Sequence, residues 1–257
     1  MNKFETAKKK FDLGLSFLLI EKYNEAEIEF LKSLQLIPDR ISTIKNLILI
    51  YVKTENKKKL TDLIKKLNHL EQKNEIIFAK AYLKYFQQKY DDSIIFCDLI
   101  INKLDEQLEY ETLGLLARCY REKNFFLKAL QIYKKSLLKF KKNPITYSKL
   151  GYLFLEIGKL KKAKIYFEKS KKLNPSDKIN LWNLSFCLLK LKEIKNGFEL
   201  YENRWAPFAS PEKKYQNIPQ IDKIENIKEK NLLIWSEQGL GDNLLFSRFI
   251  ENITKFT

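Results

Sequence analysis

Histidine is nearly absent from this chain, and glycine and proline are scarce. His69 is the single histidine among 257 residues, which excludes a histidine-based metal site and a Ser-His-Asp catalytic set. We expect it on the surface. The seven glycines and six prolines are too few for a turn-rich β sandwich. No apolar run approaches the length of about 18 to 20 residues needed to cross a bilayer. The sequence therefore predicts a soluble protein with an all-helical core.

Cysteine is also scarce, and its three positions contain no CxxC spacing. Cys97, Cys119 and Cys187 are odd in number, and each falls within a helical apolar pattern. A cysteine in such a pattern behaves as a small buried hydrophobic residue. The chain is therefore expected in a reducing compartment, the cytoplasm.

Acidic residues are fewer than basic ones. The 48 lysines and arginines against 32 acids give a net charge of +16, which suits nucleic acid or an anionic membrane when the cations cluster. Here the lysines are spread along the whole chain. The longest runs, 8–10 and 57–59, are not interleaved with arginines and aromatic residues. Nucleic-acid binding is therefore disfavoured, and a solvated basic surface is expected.

A repeated pattern decides the fold class. In a unit that starts at residue 144, large apolar residues occupy positions 4, 7, 11 and 24, and small residues occupy positions 8 and 20. Small residues are needed where the two backbones of a helix pair approach most closely, and the large ones fill the space between pairs. A proline at position 32 ends the second helix. These residues, with a serine at position 27, are Tyr147, Leu150, Gly151, Phe154, Ala163, Phe167, Ser170 and Pro175.

This pattern closely resembles the tetratricopeptide repeat. The resemblance implies an all-α fold, a right-handed superhelix of about six helix pairs over residues 1–205. The units that start at 7, 110, 144 and 178 rest on residue type. Those that start at 41 and 74 rest on spacing, because Ile48 stands in the second unit where a small residue is expected. The six predicted units lie near 7–40, 41–73, 74–109, 110–143, 144–177 and 178–205.

Stacked helix pairs curve so that their first helices line an inner face, where partner polypeptides bind. A protein or peptide in this concave groove is therefore the expected partner. Outward-pointing positions of the first helices include Asn46, Ser148 and Asn183, and an asparagine amide can hydrogen-bond a peptide backbone. The alternative is that these are solvated polar residues with no ligand.

The character of the chain changes after Trp205. Residues 206–230 contain proline and lack helical periodicity, so a linker is predicted there. Residues 231–235 are typical of a buried strand, 236–243 of a glycine loop and 244–253 of a helix. Together, 231–257 are predicted to start a Rossmann-like domain that is incomplete. Leu244 stands where the dinucleotide fingerprint has its third glycine, so NAD binding is disfavoured.

The sequences GFELYENRW (197–205) and LLIWSEQGLGDN (232–243) resemble bacterial tetratricopeptide-linked glycosyltransferases, which are similar to O-GlcNAc transferases and heptosyltransferases. The resemblance implies the N-terminal recognition part of a sugar-nucleotide-dependent glycosyltransferase. The chain has room for one strand and one helix of the catalytic region, so we expect a fragment that is inactive alone. No cofactor is expected in this chain, and a nucleotide sugar would be the donor in a complete enzyme.

The same resemblance assigns roles in the glycine loop. Glu237, Gly239 and Gly241 are implied to lie at the acceptor side of the cleft, and Asp242 to act as a general base toward an acceptor hydroxyl. The alternative for Asp242 is the N-cap of the following helix. The alternative for the whole chain is a free-standing tetratricopeptide scaffold with no catalytic activity.

Overall fold

The structure is a computed structural model that describes residues 2–205, 231–234, 244 and 247–255. Twelve α-helices follow one another between residues 3 and 201, and the described chain contains no strand. Single turns of 3-10 helix at Asn68–Leu70 and Glu202–Trp205 and a short helix at Ile250–Thr254 complete the described structure. The twelve helices are α1 Lys3–Leu19, α2 Tyr23–Leu36, α3 Ile41–Lys53, α4 Lys57–Lys66, α5 Asn74–Phe86, α6 Tyr90–Ile100, α7 Glu106–Glu122, α8 Phe126–Lys139, α9 Pro144–Glu156, α10 Leu160–Leu173, α11 Lys178–Lys190 and α12 Ile194–Tyr201.

The helices form six pairs, one for each predicted repeat unit. In every unit, one residue of the turn between the two helices has a left-handed backbone. These residues recur at spacings of 34, 33, 36, 34 and 34, which are the spacings predicted for the unit starts. The two units placed by spacing therefore have the same turn as the others. The six residues are Glu21, Glu55, Gln88, Asn124, Gly158 and Lys192.

The predicted close approach inside a pair is present where glycine occupies position 8. A Cβ atom built on Gly151 of α9 would lie 2.6 Å from Cδ1 of Phe167 in α10, and one built on Gly14 of α1 would lie 2.7 Å from Cε1 of Phe30 in α2. Both distances are far below a normal carbon contact of about 3.5 to 4.0 Å. The phenylalanine ring thus occupies the volume that any other side chain at this position would need.

The second unit has large side chains at the two positions where the pattern requires small ones. Ile48 at position 8 is 1% exposed, and Leu60 at position 20 is fully buried. The backbones of α3 and α4 consequently approach each other over a shorter stretch than those of α1 and α2. Ile48 is therefore a core residue, and the departure from the pattern widens the pair without abolishing it.

In two units, the serine at position 27 ties the two helices of the unit together. The Ser33 hydroxyl donates to the carbonyl oxygen of Ala7 at 2.9 Å, and the Ser170 hydroxyl donates to that of Pro144 at 2.8 Å. Each bond joins position 27 to position 1 of the same unit. Because both serines are fully buried, each bond satisfies a hydroxyl that would otherwise be desolvated without a partner.

Several first helices begin at side-chain caps. The carboxylate of Asp105 accepts from the Leu108 amide before α7, and the amide oxygen of Asn143 accepts from the Ile145 and Thr146 amides before α9. Pro144 occupies the first turn of α9, where no intrahelical donor is required. These caps fix the residues at which α7 and α9 begin.

Two apolar clusters fill the stack and meet at α7. One extends from Ala26 to Cys119 and the other from Ala117 to Leu188. The three cysteines are free and fully buried, as expected from their apolar patterns. No helix in the described ranges is long and apolar enough to cross a membrane.

The predicted strand at 231–235 is not found in its described part, because residues 231–234 have no regular secondary structure. A strand needs a neighbouring strand for its backbone hydrogen bonds, and the described residues provide none. Within the predicted helix 244–253, the structure describes a helix only from Ile250 onward, at Ile250–Thr254. Among the described residues before it, 244 and 247 are single helical residues. The predicted linker 206–230 and glycine loop 236–243 lie outside the described residues.

Candidate functional site

The first helices lie on the inner side of the curved stack. Neighbouring first helices contact one another, α3 with α5, α5 with α7 and α9 with α11, whereas neighbouring second helices make at most marginal contact. On a curved stack, elements on the inside are closer together than elements on the outside. The inner face is therefore formed by α1, α3, α5, α7, α9 and α11.

A cluster of cations and tyrosines lies at the middle of this face. In α7, Glu111, Gly114, Arg118 and Arg121 are spaced by three and four residues, so they share one side of the helix. The neighbours α5 and α9 contribute tyrosines and a lysine with the same spacing. We call this set the inner-face cluster, and its members are Tyr82, Tyr85, Tyr110, Glu111, Arg118, Arg121, Lys149, Tyr152 and Glu156.

Arg118 is the cation of the cluster with the fewest compensating charges. Its guanidinium carbon lies 4.4 Å from the ring centroid of Tyr85, a cation–π distance. Its side chain is half-buried. In the described part of the chain, no carboxylate oxygen lies within 4.0 Å of this guanidinium. Arg118 is thus held in position by an aromatic ring while its charge remains available to a ligand.

Arg121, on the same helix, makes the equivalent contact with the following unit. Its guanidinium carbon lies 5.2 Å from the ring centroid of Tyr152, and it forms ion pairs with Glu122 and, at 3.6 Å, with Glu156. Burial raises the pKa of the Glu156 carboxyl against the opposing effect of Arg121. The charge of Arg121 is therefore shared between two acids, unlike that of Arg118.

Lys149 reaches from α9 back toward α7. Its Nζ lies 3.1 Å from the point where a Cβ on Gly114 would be, and 5.7 Å from the ring centroid of Tyr110. The missing side chain of Gly114 leaves the room for this amine. Burial lowers the pKa of Lys149, and Arg118 and Arg121 lower it further, while Glu111 opposes them. An incoming anion would therefore relieve an unfavourable charge at Lys149.

Glu111 and Tyr82 close the cluster on the side of α5. The Tyr82 hydroxyl lies 3.5 Å from Oε2 of Glu111, and burial together with the Glu111 charge raises the Tyr82 pKa. Tyr82 therefore stays protonated at neutral pH, and its hydroxyl remains a hydrogen-bond donor. Together these groups can bind a carboxylate or another anion through charge and hydrogen bonds.

The predicted groove residues Asn46 and Asn183 lie on other first helices, α3 and α11, outside the inner-face cluster. Asn46 is only 5% exposed, and its side-chain amide donates to the Ser42 carbonyl oxygen at 2.9 Å within α3. Asn183 is half-buried in α11. Both residues occupy position 6 of their units, the position that Lys149 occupies in the unit that starts at 144. A role for Asn46 and Asn183 in binding stays a prediction.

The catalytic assignments cannot be placed, because Glu237, Gly239, Gly241 and Asp242 lie outside the described residues. His69 is at the surface as expected, with its Nε2 atom 2.9 Å from Oδ1 of Asp39. No group of three or more metal-binding side chains occurs within the described ranges.

The inner-face cluster was not among the predicted site residues, although the sequence contains a signal for it. Arg118 and Tyr152 both occupy position 9 of their units, and Tyr85 and Arg121 both occupy position 12. Each arginine–tyrosine pair therefore joins position 12 of one unit to position 9 of the next. Comparison of equivalent positions across units, instead of a search for asparagine, would have found both pairs.

A family model described as "Tetratricopeptide repeat" matches residues 145–177, which cover α9 and α10. The helix pair α9–α10 is therefore a tetratricopeptide repeat, and the other described helix pairs stack beside it in the same order. The tetratricopeptide superhelix is also the fold of similar solved structures. PilW, described as a widely conserved type IV pilus biogenesis factor, is 17% identical, with a TM-score of 0.62 over 80% of this chain and 95% of PilW. A thermophilic tetratricopeptide protein of Thermus thermophilus is 16% identical, with a TM-score of 0.58 over 71% of this chain and 99% of its own.

Among curated proteins, Protein FlbA of Caulobacter vibrioides is 24% identical over 178 residues, which cover 54% of this chain. The match spans 30% of FlbA, so this chain corresponds to less than a third of that relative.

Proposed function

We propose that this tetratricopeptide repeat protein is a scaffold that binds an acidic polypeptide segment on its inner face. The observation that carries the proposal is the Arg118–Tyr85 pair, a half-buried guanidinium fixed by a ring with no carboxylate within 4.0 Å in the described chain. Leaving a partly desolvated charge unpaired costs free energy, and a ligand carboxylate recovers it. Lys149, whose pKa is lowered by burial, gains from the same carboxylate.

A short fluorescein-labelled polyglutamate peptide is a suitable probe. Fluorescence anisotropy with the full chain measures its Kd at fixed ionic strength. Arg118→Met removes the charge and keeps most of the side-chain volume, so we expect the Kd to rise by about ten- to a hundredfold. Lys149→Met is expected to act in the same direction.

The matched control is Lys65→Met in α4, which removes one charge from an exposed position on a second helix. We expect this change to raise the Kd less than about twofold. Equal weakening by Arg118→Met and Lys65→Met would mean that the probe responds to the overall charge, and it would refute a site on the inner face. Circular dichroism of each variant separates a loss of binding from a loss of fold.

A second role is favoured by one specific observation, the sequence of residues 197–205 and 232–243. We propose that the scaffold presents an acceptor polypeptide to a sugar-nucleotide-dependent transferase region that begins near residue 231. Gly197, which belongs to the first of these two segments, lets α12 pack tightly on α11, because a Cβ there would lie 2.7 Å from Leu189. We place this activity in the cytoplasm, which suits three free buried cysteines.

A protein that carries the whole transferase region is needed to test this second role. Asp242→Asn should abolish sugar transfer there while leaving probe binding unchanged, because the inner-face cluster is distant in sequence. Undiminished transfer by Asp242→Asn would refute a general-base role for Asp242. Probe binding without any transfer activity would leave the scaffold as the function.

A further inference from the structure

The outer side of the stack contains an apolar groove between two second helices. Because neighbouring second helices are splayed, α8 and α10 leave a gap whose floor is the C-terminal half of α9. The groove has a volume of about 350 Å³. Its floor includes Leu153 and Phe154, which are 1% and 5% exposed, and its walls include Leu127 and Ile165, which are 78% and 54% exposed. We call it the α8–α10 groove.

Lysines surround this groove without matching acids. Lys134, Lys159, Lys162 and Lys169 line it, and within the described ranges none of them has a carboxylate oxygen within 4.0 Å. Helices α8 and α10 together contain ten lysines and one acidic residue, Glu168, a net +9 against +16 for the whole chain. Lys139 and Lys164 form ion pairs with Glu109 and Glu193, whereas in the described chain the four lysines that line the groove have no such partner.

We propose that the α8–α10 groove is a docking surface for an acidic amphipathic helix from a partner protein. Apolar side chains on one face of that helix would enter the groove, and carboxylates beside them would meet the lysines of the rim. A second copy of this chain does not fit, because a chain of net charge +16 would bring lysines against lysines. A flat membrane fits less well than a helix, since the apolar floor is recessed between α8 and α10.

A designed peptide tests this directly. The probe is a fluorescein-labelled helix with leucines at i, i+3, i+4 and i+7 and glutamates at the remaining positions, and its control has the same composition in scrambled order. We expect the full chain to bind the amphipathic probe at least about tenfold more tightly than the scrambled one, because only the former presents one apolar face. Failure to bind the amphipathic probe, or equal affinity for the two peptides, would overturn the proposal.

Matched variants locate the binding. Leu127→Gln should weaken it by about tenfold, whereas Leu138→Gln, on the same helix with the same 78% exposure but outside the groove, should leave it within about twofold. Lys134→Glu and its neighbour Lys135→Glu form the equivalent pair for charge, since only Lys134 lines the groove. Equal effects within either pair would overturn the assignment.

Two further measurements separate other occupants. The chain can also be tested against vesicles of phosphatidylcholine with phosphatidylserine. If the vesicles bind, Leu127→Gln weakens that binding and the amphipathic peptide does not bind, the groove is a membrane site and the proposal is overturned. Arg118→Met should leave the ratio between the affinities for the amphipathic and the scrambled peptide unchanged, because the inner-face cluster can bind glutamates in either order. Loss of this ratio in Arg118→Met would place the preference for the amphipathic probe on the inner face and overturn the proposal.

Discussion

Gly151→Ala tests the close packing found in the units that have glycine at position 8. The added methyl would lie 2.6 to 2.8 Å from three atoms of the Phe167 ring. That ring is fully buried, so it cannot move aside without displacing its own neighbours. Overpacking of this kind costs about 1 to 3 kcal/mol, and the upper part of the range applies to an enclosed ring. Alanine recovers about 1 kcal/mol through its higher helix propensity. The expected net loss in the free energy of unfolding is about 2 kcal/mol.

Gly114→Ala is the matched control, because Gly114 is also a buried glycine inside a first helix. There the nearest atom to the added methyl is Nζ of Lys149 at 3.1 Å, the end of a flexible side chain. The amine can shift, so the helix-propensity gain should dominate and stabilise the protein by about 0.5 to 1 kcal/mol. The same glycine-to-alanine change is thus expected to have opposite signs at the two positions.

Urea unfolding followed by far-ultraviolet circular dichroism measures both variants. In a chain of this size, a loss of about 2 kcal/mol corresponds to a fall in Tm of about 4 to 8 °C. Phe167→Leu should relieve the contact, so the double variant Gly151→Ala/Phe167→Leu should be more stable than the sum of the single effects by at least about 1 kcal/mol. A Gly151→Ala protein that is as stable as the parent would refute the close approach of α9 and α10.

Three further perturbations test the fold. Ser170→Ala should lower the free energy of unfolding in urea by about 1 kcal/mol more than Ser136→Ala does. Ser136 occupies the same repeat position, but within the described chain it lacks the hydrogen bond to a carbonyl oxygen that Ser170 forms. Equal losses would contradict the role of this bond. Gly158→Ala should cost about 1 kcal/mol through backbone strain alone, since φ is +75° and no atom lies within 4 Å of the added methyl; no change in Tm would count against a left-handed turn. Burial raises the pKa of Tyr133 to about 12. Folding therefore favours the neutral phenol of Tyr133. This preference contributes about 2 to 3 kcal/mol to the free energy of unfolding. The contribution is complete below about pH 10 and is lost as the pH rises through about 12. Tyr133→Phe should accordingly move the midpoint of alkaline unfolding to higher pH, and an unchanged midpoint would contradict it.

The repeat units were predictable because their residues act locally. Gly151 and Phe167 lie sixteen positions apart in one helix pair, so their contact follows from the pattern of a single unit. The serine at position 27 was recognised by type, but its hydrogen-bond partner at position 1 was not, because a spacing does not say where a hydroxyl points. Ile48 looked like a departure, and the structure shows that a pair of helices absorbs it by moving apart.

The inner-face cluster depends on contacts between units, which a single-unit pattern does not contain. Arg118 and Tyr85 are separated by more than thirty residues, and their contact depends on how far α7 is rotated against α5. Charge in the sequence was misleading for a similar reason. The lysines of α8 and α10 are separated along the chain by α9, so their concentration around one groove is visible only in three dimensions.

The curvature of the stack explains why its two faces carry charge differently. On the inside the first helices are close enough for Arg121 to reach an acid and a tyrosine of the next unit, so cations there are held in place by neighbours. On the outside, α8 and α10 are splayed, so an apolar gap remains between them, and in the described chain the four lysines that line this gap have no carboxylate oxygen within 4.0 Å. A fixed cation selects the position of a carboxylate, whereas a ring of flexible lysine side chains around an apolar gap selects charge and apolar shape together. The two surfaces are therefore suited to different partner segments, and both can be occupied at once because they lie on opposite sides of the same helix pairs.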